Sequence, residues 1–318
     1  MGEYLTPCTV TLSPAVDVYL SLPTLSVGRE SEATLLGRYA GGKGLNVSAA
    51  LDAFGTENRA FCLLGEKSAA SFLSFPHLPK NLVPFSAGGS VRENITIKSA
   101  EGETRVSLPA ETVDEKTLSA FFEKIPSGKR FVAFCGSAPR GVSEDFLTDA
   151  LLSLKKRGAL LLCDSRSLSA SSLRKLRPYC IKPNEFEFSV LCGNDAERAA
   201  EFSENVLLTC GGKEGFFLSQ TEKFRLIPPQ ISPVSTVGAG DSTLAGFIAG
   251  KMRGLSDAES ARLAFAFGSA ACLTEGTTPP EKEAIEALYQ KVKIRPEGTL
   301  HSAFLKARKQ TENKGETS

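Results

Sequence analysis

The chain has 318 residues, with 37 Lys plus Arg against 36 Asp plus Glu, a formal net charge of +1. At about 150 residues per domain the length allows two structural units, and the balanced charge gives no bulk attraction to nucleic acid or an anionic membrane. With 42% hydrophobic and 23% charged residues, the composition excludes collagen-like and disordered chains and leaves ample apolar mass for a core.

No apolar run approaches the ~20 residues needed to span a bilayer, and no basic segment followed by an apolar stretch opens the chain. There are eight cysteines but no C-x-x-C pair, and the histidines are His77 and His301. Cys62, Cys135 and Cys163 lie in apolar runs and read as small buried hydrophobes. A structural zinc site is not expected. The expected setting is a reducing cytoplasm.

In chain order, residues 8–12 read as a short buried strand. Residues 16–25, 83–85, 91–98 and 104–108 alternate or are rich in β-branched residues, so they predict strands that do not alternate with helices. Residues 45–54 predict a helix stopped by Gly55. The rhythm changes at Lys129. An apolar strand at 131–135, a helix at 146–156 stopped by Gly158 and a strand at 159–163 make a βαβ unit, hence parallel pairing covered by helices. Residues 179–182 and 206–210 predict further strands, and 242–252, 257–273 and 281–292 predict helices. The sum is an α/β domain with a smaller β-rich element inserted in its first third. The polar tail, 307–318, is expected to be disordered.

The strongest local signal is Ser235-Thr236-Val237-Gly238-Ala239-Gly240-Asp241-Ser242, ahead of an apolar helix. Small residues let the backbone approach a ligand closely, and amides at a helix N-terminus favour an anion. A carboxylate there repels a phosphate unless it must accept a proton from a hydroxyl attacking a phosphoryl group. An N-capping aspartate after a glycine loop would look the same locally. The second signal is Ala40-Gly41-Gly42-Lys43-Gly44-Leu45-Asn46, again glycines before a helix, now with a cation and an amide. It has neither the P-loop spacing nor G-x-G-x-x-G.

With Thr9-Val10-Thr11-Leu12-Ser13-Pro14-Ala15-Val16-Asp17, Arg92-Glu93-Asn94-Ile95, Gly136-Ser137-Ala138-Pro139 and Lys182-Pro183-Asn184-Glu185-Phe186-Glu187, these segments form six motifs in order. Together they resemble the ribokinase-like sugar kinases of the phosphofructokinase B type, over nearly everything from Thr9 to Pro280. Within that family the chain looks most similar to the 1-phosphofructokinase and tagatose-6-phosphate kinase subgroup.

The resemblance implies a three-layer fold with a mainly parallel sheet, helices on both faces and a small β-sheet lid. The α/β domain would comprise 1–12, 40–85 and 110–306, and the lid 13–39 and 86–109. Asp241 matches the family's catalytic base, and Gly238, Ala239 and Gly240 its anion hole. Asp17 matches the acid that hydrogen-bonds sugar hydroxyls, and Gly42 and Asn46 match sugar-binding positions. Lys43 and Arg92 are candidates for a phosphate already on the substrate, since Arg suits bidentate recognition and Lys a point charge. Asn94 shares a strand face with Arg92, and Ser137 is a further substrate candidate. Lys182 belongs to the nucleotide motif. Asn184 and Glu187 match N-x-x-E, which organises Mg²⁺ through water. Cys210, Gly212 and Gly215 match the nucleotide loop if Cys210 takes the Ser/Thr position.

ATP and Mg²⁺ are thus the implied cofactors, a small sugar phosphate the partner, and a homodimer through the lid a further expectation. Fructose 1-phosphate is the leading substrate, with tagatose 6-phosphate and fructose 6-phosphate as alternatives. A catalytically silent sugar-phosphate sensor would have no need of Asp241. A nucleoside has no phosphate for Arg92 to grip. Two departures from the subgroup bear on the sugar: Ser13 stands where Asn is usual, and Glu93 adds a negative charge beside Arg92.

Overall fold

The structure, a computed structural model, describes residues 4–193 and 195–297. Its first half runs β1 (Leu5–Thr11), β2 (Ala15–Ser21), β3 (Thr34–Gly41), α1 (Lys43–Ala53), β4 (Arg59–Gly65), α2 (Ala69–Leu73), β5 (Leu82–Ala87), β6 (Arg92–Ser99), β7 (Gly102–Ser107), α3 (Glu115–Glu123) and β8 (Arg130–Cys135). There follow α4 (Glu144–Lys156), β9 (Ala159–Asp164), α5 (Ala170–Leu176), β10 (Cys180–Ile181), α6 (Glu185–Cys192), β11 (Asn205–Leu208), β12 (Gly215–Leu218) and β13 (Lys223–Ile227). The last elements are α7 (Ala239–Met252), α8 (Asp257–Ala271), α9 (Lys282–Tyr289) and β14 (Lys293–Pro296).

Ten strands form one sheet in the order β14-β13-β12-β11-β10-β9-β8-β1-β4-β5. Pairing is parallel from β11 to β5 and antiparallel from β11 to β14. The central parallel strands, such as β8 and β9, are almost continuously apolar because both faces are covered. In β8, Phe131 and Ala133 pack with Leu51 of α1, Phe247 of α7 and Phe267 of α8. Val132 and Phe134 face the other way, onto Phe121 of α3, Leu151 of α4 and Leu173 of α5. α7 is buried from Asp241 to Gly250, so its sequence is apolar all round rather than amphipathic.

A second sheet, β3-β2-β6-β7, stands apart. The expected α/β architecture with a smaller separate sheet is therefore what the chain adopts. All eight cysteines are free, and Cys62, Cys135 and Cys163 are buried in strands as expected, with Cys8, Cys180 and Cys192 also buried. No described helix is long and apolar enough to cross a membrane.

Several expectations need adjusting. The strand expected over 179–182 is Cys180–Ile181 alone, and residues 209 and 210 fall outside β11. The segment patterns predict none of β3, α2, α3, α5, α6 or β12 to β14. The tail, 307–318, lies outside the described residues.

The topology places the site. From β1 the chain moves outward to β4 and β5, then returns past β1 to lay down β8, β9, β10 and β11 on the other side. The reversal falls between β1 and β8. In open parallel sheets the carboxyl ends of the strands beside such a reversal form a crevice where ligands bind.

Candidate active site

Four side chains meet at that end of the sheet. Asp164 is the last residue of β9, Lys182 follows β10, Lys43 opens α1, and Asp241 lies in the first turn of α7. Lys43 Nζ donates to Asp164 Oδ1 at 2.9 Å, and Lys182 Nζ lies 3.1 Å from Asp164 Oδ2. Asn46, one turn into α1, donates from Nδ2 to Asp241 Oδ2 at 2.8 Å. One hydrogen bond, Asn46 to Asp241, thus joins the Gly41 to Asn46 loop to the Ser235 to Asp241 loop, and Asp164 pairs with lysines from two distant parts of the chain.

Their electrostatics push the two carboxyls apart. Burial disfavours the ionised form of Asp241, and the negative charge of Asp164 adds to this, raising its pKa to about 6 against the opposing pull of Lys43, the Asn46 hydrogen bond and Lys182. Burial also works against Asp164, but Lys182 and Lys43 outweigh it and hold that carboxyl below the usual range. Burial alone would lower Lys43, yet Asp164 and Asp241 together hold it above the usual lysine range. One acid is kept charged; the other is poised near neutrality, where a general base works best. A base must be ionised to accept a proton, so kcat/KM should fall about tenfold per pH unit below pH ~6 and level off above it. A pH profile of kcat/KM checks this; an acid limb near pH 4 would contradict it.

The loop before Asp241 is shaped for an anion. Gly238 caps α7 with φ 78, a conformation that favours glycine. Any side chain at Gly240 would begin 3.1 Å from Lys182 Nζ. The first turn of α7 thus borders both a lysine and Asp241, a setting suited to a phosphoryl group; the Ala239 N–H itself donates to Thr236 O at 3.4 Å.

The second sheet carries the other candidates. Asn94 Nδ2 donates to Asp17 Oδ1 at 2.7 Å, both buried. A Cβ on Gly41 would lie 2.3 Å from Asp17 Oδ2, so only glycine lets the strand pass this carboxyl. Arg92 Nη1 donates to Asn94 Oδ1 at 2.9 Å, and its Nε is buried without a hydrogen-bond partner. Arg105 of β7 lies 3.7 Å from Asp17 Oδ1. Burial raises the Asp17 pKa against the pull of Asn94, Arg105 and Arg92. The outcome is a carboxylate, an amide and two guanidiniums on one sheet face, a set able to hold hydroxyls and a phosphate together. Glu93 does not share that face. It pairs with Arg38 of β3, so its charge is compensated away from Arg92.

A cavity of about 560 Å³ opens on the far side of the glycine loop. It is lined by Thr209, Gly212, Thr236, Gly240, Phe265 and Cys272 among others. Of the nucleotide-loop candidates, Gly212 lines it. Cys210 faces a neighbouring open groove with Asn184 and Phe186. Gly215 starts β12, where a Cβ would lie 2.4 Å from the Phe265 ring; packing accounts for that glycine. Ser137 is exposed in the loop after β8.

Asn184 and Glu187 form a capping box at the start of α6. Glu187 N–H donates to Asn184 Oδ1 at 2.8 Å, and Asn184 N–H donates to Glu187 Oε2 at 3.0 Å. Such a cap stabilises a helix by about 1 kcal/mol, which gives the motif a structural role of its own. No cluster of three or more His, Cys, Asp or Glu that could hold a metal occurs among the described residues. Asp164 and Glu187 are both already engaged. This donor set fits a cation held mainly by nucleotide phosphates and water.

Asp164 and Arg105 were not singled out from the sequence. For Asp164 the cue was a charge closing the apolar run 159–163, at the strand end where such folds bind ligands. For Arg105 there was none, because its partner lies across two strands of unknown register.

Comparison with known proteins decides the family. The model of the pfkB family carbohydrate kinases matches residues 16–284. The chain belongs to that family. It is 26% identical over 302 residues to a 1-phosphofructokinase of Vibrio cholerae, covering 90% of this chain and 95% of that protein. It is 28% identical over 306 residues to a tagatose-6-phosphate kinase of Staphylococcus epidermidis, covering 90% and 98%. Its fold is that of phosphofructokinase-2 from Escherichia coli in complex with substrates and products, with a TM-score of 0.81 at 22% identity, covering 90% of this chain and 99% of that one. The protein is thus a phosphotransferase with an alcohol group as acceptor.

Proposed function

We propose that the protein transfers the γ-phosphoryl group of ATP to a hydroxyl of fructose 1-phosphate, giving fructose 1,6-bisphosphate and ADP. The observation that carries this is that the Gly41 to Asn46 segment links two sets: Asn46 bonds Asp241 at the anion cradle, and Gly41 abuts Asp17, which carries Asn94 and Arg105 beside it, with Arg92 on Asn94. A base beside the transferring group is thus tied to a surface suited to a phosphorylated polyol. The names of the relatives support a ketose phosphate; the Staphylococcus epidermidis relative keeps tagatose 6-phosphate as the second reading.

In this reading the acceptor hydroxyl hydrogen-bonds to Asp241, which takes its proton as the oxygen attacks phosphorus in line. The amides of Gly238, Ala239 and Gly240, with Lys182, hold the charge that develops on the phosphoryl oxygens. Lys43 keeps Asp164 engaged and adds positive charge beside the reacting groups. Asp17, Gly42, Asn46 and Asn94 orient the sugar, and Ser137 borders it. Thr209 and Gly212 bound the space for the adenosine, with Cys210 at its outer edge. Asn184, Glu187 and Asp164 would hold Mg²⁺ through water, and the ion would neutralise charge on the ATP phosphates.

The second sheet would act as a lid that closes over the sugar and excludes water. Its other face exposes Leu35, Val106 and Leu108, an apolar patch suited to pairing with the same face of a second copy. Sedimentation should therefore give a dimer.

Arg92→Ala should raise KM for the sugar phosphate about tenfold to a hundredfold, the loss of a charge-assisted contact of roughly 1.5–3 kcal/mol. KM for ATP should change little. Steady-state kinetics on both substrates test this; an unchanged sugar-phosphate KM would remove Arg92 from the acceptor site.

A further inference from the structure

A second cavity, of about 490 Å³, lies between α5 and α6 beyond the ends of β9 and β10. That is the size of a small-molecule site, roughly 300–1,000 Å³. It shares no lining residue with the cavity on the far side of the glycine loop; Phe186 also borders the groove that holds Cys210, and Asp164, Lys182 and Glu187 at its inner end belong to the catalytic centre as well. We propose that it is a second ligand site, for a small anion carrying a compact apolar body.

The apolar body follows from the walls. Leu168 and Leu173 form the inner side. Phe186 and Val190 form the outer one, 74% and 71% exposed. They sit four residues apart on α6, hence on one helix face. Two large apolar side chains left in solvent beside an apolar cavity are the kind of surface that a ligand covers.

The anion follows from the charges at one end. Lys182 and Asp164 border the cavity, and Arg166 stands at its mouth. Both acids are already engaged. Asp164 is held by Lys43 and Lys182, and Glu187 by the Asn184 N–H and by Arg166. The lining carries two cations, Lys182 and Arg166, against two carboxylates, and Arg166 is the cation held loosely. The Arg166 side chain is 83% exposed, and its contact with Glu187 is 3.4 Å long. An exposed pair of that kind contributes little, so the guanidinium is free to turn onto a sulfonate, carboxylate or phosphate.

Position gives the site a consequence. Its charged end is the same Asp164–Lys182 pair that borders the phosphoryl cradle. A ligand bound there would change nucleotide affinity, and nucleotide would change its affinity by the same factor.

The test uses 8-anilinonaphthalene-1-sulfonate, a bicyclic apolar body with one negative charge. The expected result is saturable binding to one site per chain, read by fluorescence and calorimetry. It should persist under saturating Mg-ATP with its Kd shifted to a limiting value. Val190→Glu and Arg166→Glu should each weaken binding at least tenfold. Both positions are exposed, so thermal melting should confirm that the variants stay folded. Displacement of the dye in simple competition with ATP would place it in the nucleotide cavity and overturn the proposal. So would the absence of saturable binding, or an unchanged Kd in either variant. None of these readouts depends on which sugar the protein phosphorylates.

Discussion

Asp241→Asn is expected to lower kcat by about 10²–10⁴-fold, the usual contribution of a general base, while ATP and sugar phosphate still bind. The amide keeps the shape of the carboxylate, and its oxygen can still accept the hydrogen bond that Asn46 Nδ2 makes at 2.8 Å. What it loses is the capacity to take a proton. The same change should stabilise the fold. Burial and the charge of Asp164 raise the Asp241 pKa to about 6, so ionising it costs folding free energy once the pH exceeds that value. A raised carboxyl pKa makes this cost full above the folded pKa and lets it vanish below the unfolded one, near 4. The variant should therefore melt higher than wild type at pH 8 and match it near pH 4. A dead enzyme that is more stable at neutral pH is hard to reconcile with a merely structural aspartate. Near-normal turnover, or a lower Tm at pH 8, would remove Asp241 from its role.

Asp164→Ala should have the largest effect on stability. Lys182 has 6% of its side chain exposed, and Asp164 is its ion-pair partner at 3.1 Å. Removing one member of a buried pair leaves an uncompensated charge and costs about 3–5 kcal/mol. For a protein of this size that lowers Tm on the order of ten degrees. Lys43, with 40% of its side chain exposed, can turn to water and adds little to the loss. The double variant Asp164→Ala/Lys182→Met should recover most of the stability, because the stranded charge is gone. It should not recover activity, because the cradle has lost its lysine and its acid. Residual activity in Asp164→Ala should also show an acid limb at lower pH than wild type, since Asp164 is one of the groups that raises Asp241. Thermal melts of the three variants and one pH profile suffice. A double variant as unstable as the single one would show that the pair is not what holds this region.

Local signals in the chain made part of this legible. Small residues ahead of an apolar helix marked the loop at Asp241, and glycines with a lysine marked the start of α1. Both sit where their own neighbours define them. The pairing of Asn46 with Asp241 spans 195 positions, and no local pattern announces it. The βαβ rhythm after Lys129 revealed the parallel sheet because strands covered on both faces are continuously apolar. β12 to β14 are short, and β14 is mostly exposed. They exist through their pairing rather than through their own periodicity, which is why a single segment does not reveal them. α3 had a cap in Asp114, whose side chain accepts from Thr117 N–H at 2.7 Å, yet its nine residues carry only a narrow apolar stripe. Glu93 looked like a charge beside the phosphate grip. Strand alternation puts it on the opposite face from Arg92 and Asn94, where Arg38 meets it.

The most direct test of the account is a coupled ADP-release assay with Mg-ATP on fructose 1-phosphate, tagatose 6-phosphate, fructose 6-phosphate and unphosphorylated fructose. The account predicts a kcat/KM for fructose 1-phosphate at least tenfold above the others, about 1.4 kcal/mol of transition-state discrimination, with fructose itself the poorest acceptor. Equal or faster turnover of unphosphorylated fructose would contradict the assignment of Arg92 and Arg105 to a substrate phosphate, and no ADP release with any of the four would contradict the proposed reaction.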